Sequence, residues 1–568
     1  MILTPLDWAF IAAYFVCSAS LGLWLSTRGG RSIADFFLGG RQLPWWLAGT
    51  SMVATTFAAD TPLAVAGIVA RNGIAGNWIW WSAATGSVLT VFFFARLWRR
   101  AGILTDVEFA ELRYTGRPAA VLRGFRALYL GILINCVVMG WVNLAMAKIL
   151  SVTLGWDTLT AVLISLAITG VYSAVGGLWG VVAADFFQFT LAMIGTIALA
   201  WFALRVPEVG GLEGLARALD PQVLSFLPSF SAIDVVGAVA GLPLGAFLAY
   251  VGVQWWSSWY PGQEPGGGGY VAQRMMSAKN ERHAFFATLW FTVAHYCVRP
   301  WPWIIVGLVS MVLYPTITDK EAGYVMVIRD HLPQGWRGLL LGAFFAAYMS
   351  TISTQLNWGT SYIVNDFYRR FVRTDGDERH YVLVSRVTTL ALMVASAVVT
   401  FYLESIRQAW EFVLESGAGI GLVLILRWYW WRVNAWSEIS AMVAAAIGYA
   451  AVKLTMDVAF PATLLIVVAW TTTCWLTVTF LTPPETDAQL LRFYRLTRPG
   501  GPGWMRIAAL GGEPPPEAIG PLFLKWVAGT ALVYAVLLGM GALLFGGAVA
   551  ALPYVAVAGG AAWLIARH

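Results

Sequence analysis

The sequence predicts an all-α membrane protein with about 15 transmembrane helices, and three observations predict it. Of its 568 residues, 59% are hydrophobic and only 12% charged, with 30 tryptophans and a mean hydropathy of +0.70. A soluble domain carries roughly 25% charge. Apolar stretches of roughly 20 residues recur along the chain, the length a helix rising about 1.5 Å per residue needs to cross about 30 Å of hydrocarbon. Basic residues crowd alternate loops: Arg28, Arg31 and Arg41; Arg96 to Arg123; Arg274, Lys279 and Arg282; Arg369 to Arg379; Arg427 and Arg432; Arg492 to Arg506. That asymmetry predicts an N-terminus outside the membrane and a C-terminus in the cytoplasm. It also accounts for the formal net charge of +6 through contact with anionic headgroups of the lipid bilayer, without a nucleic-acid partner.

In chain order, span 6–26 is followed rather than preceded by basic residues and lacks an A-x-A-like cleavage site, so it is predicted to be a retained helix and not a signal peptide. Span 44–70 contains GTSMVATTFAADTPLAVAG and span 231–258 contains GAVAGLPLGAF; small residues, hydroxyls and prolines mark both as breakable. They stand five spans apart, as in two five-helix units related by an inverted repeat whose first helices unwind at midplane. The alternative is that Gly and Pro are simply tolerated in membrane helices. Spans 73–98, 123–151, 157–173 and 178–204 fill the interval, and 284–315, 337–364, 381–403, 408–426, 436–456, 460–481, 523–545 and 549–566 follow. The long connection 483–520 has Pro and Gly clusters around the amphipathic stretch Asp487 to Leu496, which predicts a cytoplasmic linker with an interfacial helix.

Several chemistries are excluded. Cys17, Cys136, Cys297 and Cys474 each sit alone in an apolar segment, and the five histidines show no ligand spacing, so neither a disulfide framework nor a metal cluster is implied. The run PGQEPGGGGY, 261–270, lacks the GK[ST] ending of a phosphate cradle and reads as a flexible loop. With no nucleophile–base pair and no cofactor loop, the chain is predicted not to be an enzyme.

Polar groups inside apolar spans are costly, which makes each a site candidate. Asp185 lies within an apolar run continuing to Trp201. In YMSTISTQLN, 348–357, Ser350 shares one helical face with Ser353 and Thr354, while Thr351 shares a neighbouring face with Thr354. A single hydroxyl of this kind usually bonds the carbonyl one turn back. Four together, beside a buried acid from elsewhere, favour a hard cation, and one carboxylate with hydroxyl and carbonyl oxygens suits Na⁺ better than Ca²⁺.

YSAVGGLWGVVAADFFQF resembles the signature of the sodium:solute symporter family, through Tyr172, Gly176, Gly177, Leu178, Asp185 and Gln188. Further matches are DFFLGGRQLPWWLAG (35–49), AGILTDVEFAELRY (101–114), YVAQRMMSAKNERHA (270–284) and the hydroxyl-rich stretch running into NDFYRRF (365–371). The resemblance implies a leucine-transporter-type 5+5 inverted repeat with extra peripheral helices. It divides the chain into an N-terminal helix and loop (1–43), a ten-helix transport core (44–430), peripheral helices (431–482), the linker (483–520) and a C-terminal helical pair (521–568). It also implies Na⁺-coupled uptake of a small polar organic solute across the plasma membrane, the inner membrane if the chain is bacterial. Carried over by position, the principal Na⁺ site uses backbone carbonyls of Ala54, Phe57 and Ala347 with the hydroxyls of Ser350 and Thr351, and a second Na⁺ site uses Asp185, Ser353 and Thr354.

For the solute, sugar-transporting relatives carry a Glu where this chain has Asn77, and a Lys where it has Arg299. Thr56 and Asp60 border the expected break, Glu411 and Glu415 lie one turn apart, and Trp255, Trp256 and Trp259 fall near the family's aromatic inner gate. Two accounts compete: Arg299 and one or more acids bind a sugar-like or carboxylate solute between aromatic faces, or Arg299 pairs with Asp60 or a Glu across helices and the tryptophans form an interfacial belt. A transporter-derived solute sensor and an uncoupled channel are the alternative functions, although no signalling domain follows residue 520 here. The sequence leaves the oligomeric state open.

Overall fold

The computed structural model describes residues 3–26, 39–103, 105–172, 178–228, 242–258 and 265–567. These are helical almost throughout; the one β-type pairing among them is an isolated bridge between Leu43 and Ala278. Nine helices among the described residues are long and apolar enough to cross a membrane, or up to 11 when each of two bent pairs counts as one span, and Pro5–Cys17 and Thr158–Gly170 are apolar but shorter. The expected break in span 231–258, Trp259, loop residues 261–264 and motif residues 173–177 lie outside the described residues.

Span 44–70 is broken. Trp45–Thr55 and Asp60–Asn72 meet at a 62° bend, so the last carbonyls of the first half-helix are released at the break. Pro62 does not sit at the bend; it occupies the first turn of the second half-helix, where its missing N–H costs no hydrogen bond. The second bend, 52°, separates Ile406–Ser416 from Ile420–Tyr429. There Gly419 has φ +88°, and a Cβ on it would lie 2.5 Å from Cβ of Thr471, so only glycine fits. Close packing against the broken helix also depends on small residues: a Cβ on Gly49 would come within 2.6 Å of the Ala287 carbonyl oxygen, and one on Gly307 within 3.0 Å of the Ala66 backbone.

The last helical stretch, Ile519–Arg567, is two spans. Gly547 (φ 76°, ψ −177°) interrupts it, and a Cβ on Gly539 would lie 2.9 Å from the Tyr554 Cβ, so the halves fold back on each other. This hairpin is anchored: Trp526 Nε1 donates to the Thr85 carbonyl at 3.0 Å, and the Cys297 thiol donates to the Val533 carbonyl at 3.2 Å.

The connection before it forms a packed layer across the Arg-rich face. Helix Asp487–Thr497 buries Leu490, Phe493 and Tyr494. The Phe493 ring lies 5.8 Å from Trp428 and 5.5 Å from Trp504, and the Arg113 guanidinium sits 5.2 Å from the Phe493 ring and 5.0 Å from the Trp504 ring. Arg96 pairs with Glu517 at 2.6 Å, while Glu513 accepts from Arg495 at 2.7 Å and Arg498 at 2.8 Å. The hydrogen bond from Arg495 is the main cause holding the Glu513 carboxyl below its ordinary value of 4.5. A group depressed on folding stabilises above its unfolded value, and that contribution disappears as the pH falls through the folded one. Limited proteolysis between residues 498 and 520 is therefore expected to accelerate below about pH 4 and to be slow at pH 7.

Candidate functional site

Asp185, on Leu178–Leu204, is 1% exposed. Ser51 Oγ, one turn before the break, donates to Asp185 Oδ2 at 2.8 Å, and Ser350 Oγ, on Trp336–Ser361, donates to Oδ1 at 3.1 Å. Arg274, equally buried, lies with Nη2 3.9 Å from Oδ2 while its Nε donates to Ser51 Oγ at 3.3 Å. One guanidinium and two hydroxyls thus hold the charge that the apolar run excludes. The node ties the first half-helix to the hydroxyl-rich helix.

Of the principal sodium set, Ala54 and Phe57 lie at the break, and Ala347, Ser350 and Thr351 lie on the helix that packs against Trp45–Thr55. The Ala54 carbonyl accepts from Phe57 N–H at 2.9 Å, leaving its second lone pair. Thr351 Oγ1 is buried without a hydrogen-bond partner and lines the same cavity as Thr55, Thr56 and Ala58. Such a set of neutral oxygens beside one carboxylate fits a monovalent hard cation. Of the second set, Ser353 Oγ donates to the Ser350 carbonyl at 3.1 Å, so the hydroxyl reaching Asp185 is that of Ser350 and not Ser353 or Thr354. Helical spacing explains this: Ser350 and Ser353 are close on one face, but only the earlier residue is level with Asp185.

The cavity beside the break gathers Thr56, Asp60, Trp255 and Arg299, with Trp80, Tyr270, His295, Gln355 and Trp410. Asp60 Oδ1 and Gln355 Oε1 are buried acceptors without a partner. Arg299 donates to the Val53 carbonyl at 3.3 Å and to Thr56 Oγ1 at 2.9 Å. Asn77 is turned away: its amide donates to the Ile74 carbonyl at 3.0 Å and accepts from Trp80 Nε1 at 2.9 Å, bonding within its own turn. Trp256 Nε1 donates to the Gly252 carbonyl at 2.8 Å, and its residue is not on the cavity wall.

Glu411 and Glu415 line a second, larger cavity on the face opposite the Arg-rich loops. There Glu411 pairs with Arg407 at 2.8 Å and Glu415 with Lys453 at 3.1 Å. They share the half-helix Ile406–Ser416 with Trp410 but take another face of it, next to two cations, and neither lines the cavity at the break. Ile79 lines both cavities.

Sequence reasoning missed Ser51, Arg274 and His295 as site residues. Arg274 reads in the sequence as a loop charge, yet it belongs to the short helix Gly269–Ser277 and is buried. His295 stands four residues before Arg299, a same-face spacing that could have revealed it.

A family model described as "Sodium:solute symporter family" matches residues 36–448, most of the chain. The chain belongs to the sodium:solute symporter family. Among similar proteins of this kind, sodium/glucose cotransporter 4 of Danio rerio is 27% identical over 463 residues, covering 75% of this chain and 68% of the relative. The sodium/glucose cotransporter of Vibrio parahaemolyticus is 25% identical over 468 residues, covering 78% and 84%. A solved structure of a Na⁺-coupled sialic acid symporter, substrate-bound and outward-open, superposes with a TM-score of 0.68 at 18% identity, covering 85% of this chain and 99% of that one. The fold is therefore the all-helical leucine-transporter type. As a sodium:solute symporter the chain is a multi-pass membrane transporter that couples a small solute to Na⁺.

Proposed function

We propose that this symporter imports a small polar organic solute by alternating access, with one Na⁺ at the break between Ala54, Phe57, Ala347, Ser350 and Thr351, and a second beside Asp185. The observation carrying this reading is that Thr351, from the hydroxyl-rich helix, and Asp60 and Arg299, from two other segments, converge on one cavity at the unwound residues 56–59. Cation and solute then share the same released backbone. A Na⁺ bridging the broken helix and Trp336–Ser361 favours the arrangement that accepts solute from outside.

The solute class is read from the cavity's own atoms. Asp60 Oδ1 and Gln355 Oε1 call for donors, and Trp80 and Trp255 offer faces, which favours a sugar-like, hydroxyl-rich molecule; a carboxylate held by Arg299 is the second reading. Alternating access is supported by ties on the Arg-rich side. Asp106 accepts from the Gly269 N–H at 3.0 Å and from the Tyr362 hydroxyl, linking three segments, while the larger cavity opens on the other face. With the Arg-rich face cytoplasmic, the N-terminus lies outside and the arrangement faces outward.

A thermal-shift screen of the purified protein against sugars, amino acids and organic acids, in NaCl and in choline chloride, tests the assignment. A sugar-like or carboxylate compound is expected to raise the melting temperature only with Na⁺. Asp60→Asn should weaken that shift roughly tenfold in solute concentration and leave the Na⁺ shift intact. Solute flux in proteoliposomes that ignores the Na⁺ gradient would instead assign an uncoupled channel.

A further inference from the structure

His295 is 1% exposed and lies between Arg299 and Thr56, two residues assigned above to the solute cavity. Its Nε2 is 3.3 Å from Arg299 Nη2, and its Nδ1 is 3.1 Å from Thr56 Oγ1. A guanidinium has donors only, so Nε2 must accept and the ring is neutral with its proton on Nδ1. That proton is donated to Thr56 Oγ1. The threonine hydroxyl therefore accepts from His295 and from Arg299 Nη1 at 2.9 Å, and donates its one proton to the Val53 carbonyl at 2.7 Å. Arg299 Nη1 reaches the same carbonyl at 3.3 Å. Both acceptor positions and the donor of the hydroxyl are used; Thr56 and Arg299 both end on the Val53 carbonyl oxygen, and His295 holds the two of them together.

That oxygen belongs to the residue before Ala54. The three-residue ring is therefore fastened to the released end of the first half-helix, where the carbonyls of Ala54 and Phe57 must be aimed. A second contact acts in the same direction: the Arg299 guanidinium lies 5.4 Å from the Trp303 ring, which packs 5.4 Å from the Phe57 ring. We propose that His295 is a positioning residue for sodium, locking Arg299 and Thr56 onto Val53 so that the break presents its carbonyls to the ion. The inference rests on the principal-site reading of the preceding subsection. It makes the solute cavity and the ion site mechanically one unit, since a solute that pulls on Arg299 also loads the Val53 carbonyl. Sodium and solute affinities then rise together.

The experiment needs only Na⁺ as probe. Intrinsic tryptophan fluorescence of the purified full chain is titrated with NaCl at constant ionic strength against choline chloride, and melting temperatures are recorded in parallel. His295→Phe keeps the ring volume and removes both hydrogen bonds, and half-saturation is expected to move to about tenfold higher Na⁺. His295→Gln, whose amide accepts through oxygen and donates through nitrogen, should remain within about threefold of wild type. Thr56→Val removes the shared hydroxyl without changing its shape and provides the same readout should the Phe variant not fold; it is expected to match His295→Phe. Half-saturation within about twofold of wild type in every folded variant of that pair overturns the proposal. A wild-type protein with no saturable Na⁺ response overturns the principal-site reading instead, so the two failures are distinguishable.

Discussion

Replacing Ser350 and Thr351 together by Ala is expected to abolish Na⁺-dependent uptake and to raise half-saturation for Na⁺ by at least about 100-fold. Two of five oxygens leave a site with no carboxylate of its own, and a bond from a neutral oxygen to a charged group contributes ~1.5–3 kcal/mol, so losing two amounts to ~3–6 kcal/mol. The single variants should not be equivalent. Thr351 Oγ1 faces the cavity without a partner, so Thr351→Ala acts on the principal site alone. Ser350 Oγ also donates to Asp185, so Ser350→Ala disturbs the carboxylate as well and the two effects will not add. The check is uptake into proteoliposomes under an imposed Na⁺ gradient, using the compound found by thermal shift, together with the fluorescence titration. A double variant that keeps its sodium dependence removes the cation from this part of the molecule.

The helices were legible because hydrocarbon leaves few options: a stretch long enough to cross it and unable to satisfy its backbone otherwise must be helical. The broken span was legible for a related reason, since hydroxyls and small residues at Gly49 to Ala59 weaken a helix without making it polar. Finer placement failed where it depended on partners from distant segments. Glu411 and Glu415 looked like solute acids because they lie one turn apart in an apolar span, and only the fold brings Lys453 to Glu415. Asn77 looked like a site residue because of its alignment, but its amide closes bonds within its own turn. Arg274 shows the opposite error: a basic residue in an Arg-rich loop reads as orientation, yet this one is buried against Asp185. Periodicity reports which face a residue takes; it carries no information about which charge will meet it there.

The connection 483–520 shows what amphipathicity leaves unsaid. A helix with one apolar face can lie on lipid or on protein, and the sequence pattern is the same in both. Here the apolar face meets Trp428 and Trp504, and Gln489 Nε2 donates to the Leu112 carbonyl at 2.8 Å, so the partner is the transport core's own Arg-rich face.

Arg274→Met is expected to make the stability of the symporter depend on Na⁺. With the guanidinium gone, Asp185 keeps only two hydroxyl donors, Ser51 and Ser350, inside a site that is almost fully buried. An uncompensated charge in such a place costs on the order of 3–5 kcal/mol. In choline chloride the variant should therefore melt several degrees below wild type. In NaCl a second ion takes over the neutralisation, and most of the loss returns. Adding Asp185→Asn removes both charges and should restore stability while erasing the sodium effect, because nothing remains for the ion to neutralise. If Arg274→Met instead melts at the same temperature in both salts, Asp185 is a structural anchor and one Na⁺ moves per cycle. The distinction has an energetic consequence, since each charge carried inward gains about 2.3 kcal/mol per 100 mV, and for a neutral solute a second ion doubles the electrical part of the driving force. Reversal potentials measured in proteoliposomes against the Na⁺ gradient and against the solute gradient give the stoichiometry once the solute's own charge is subtracted: two Na⁺ per solute require that Arg274 yield Asp185 to the ion, and one Na⁺ means that it does not.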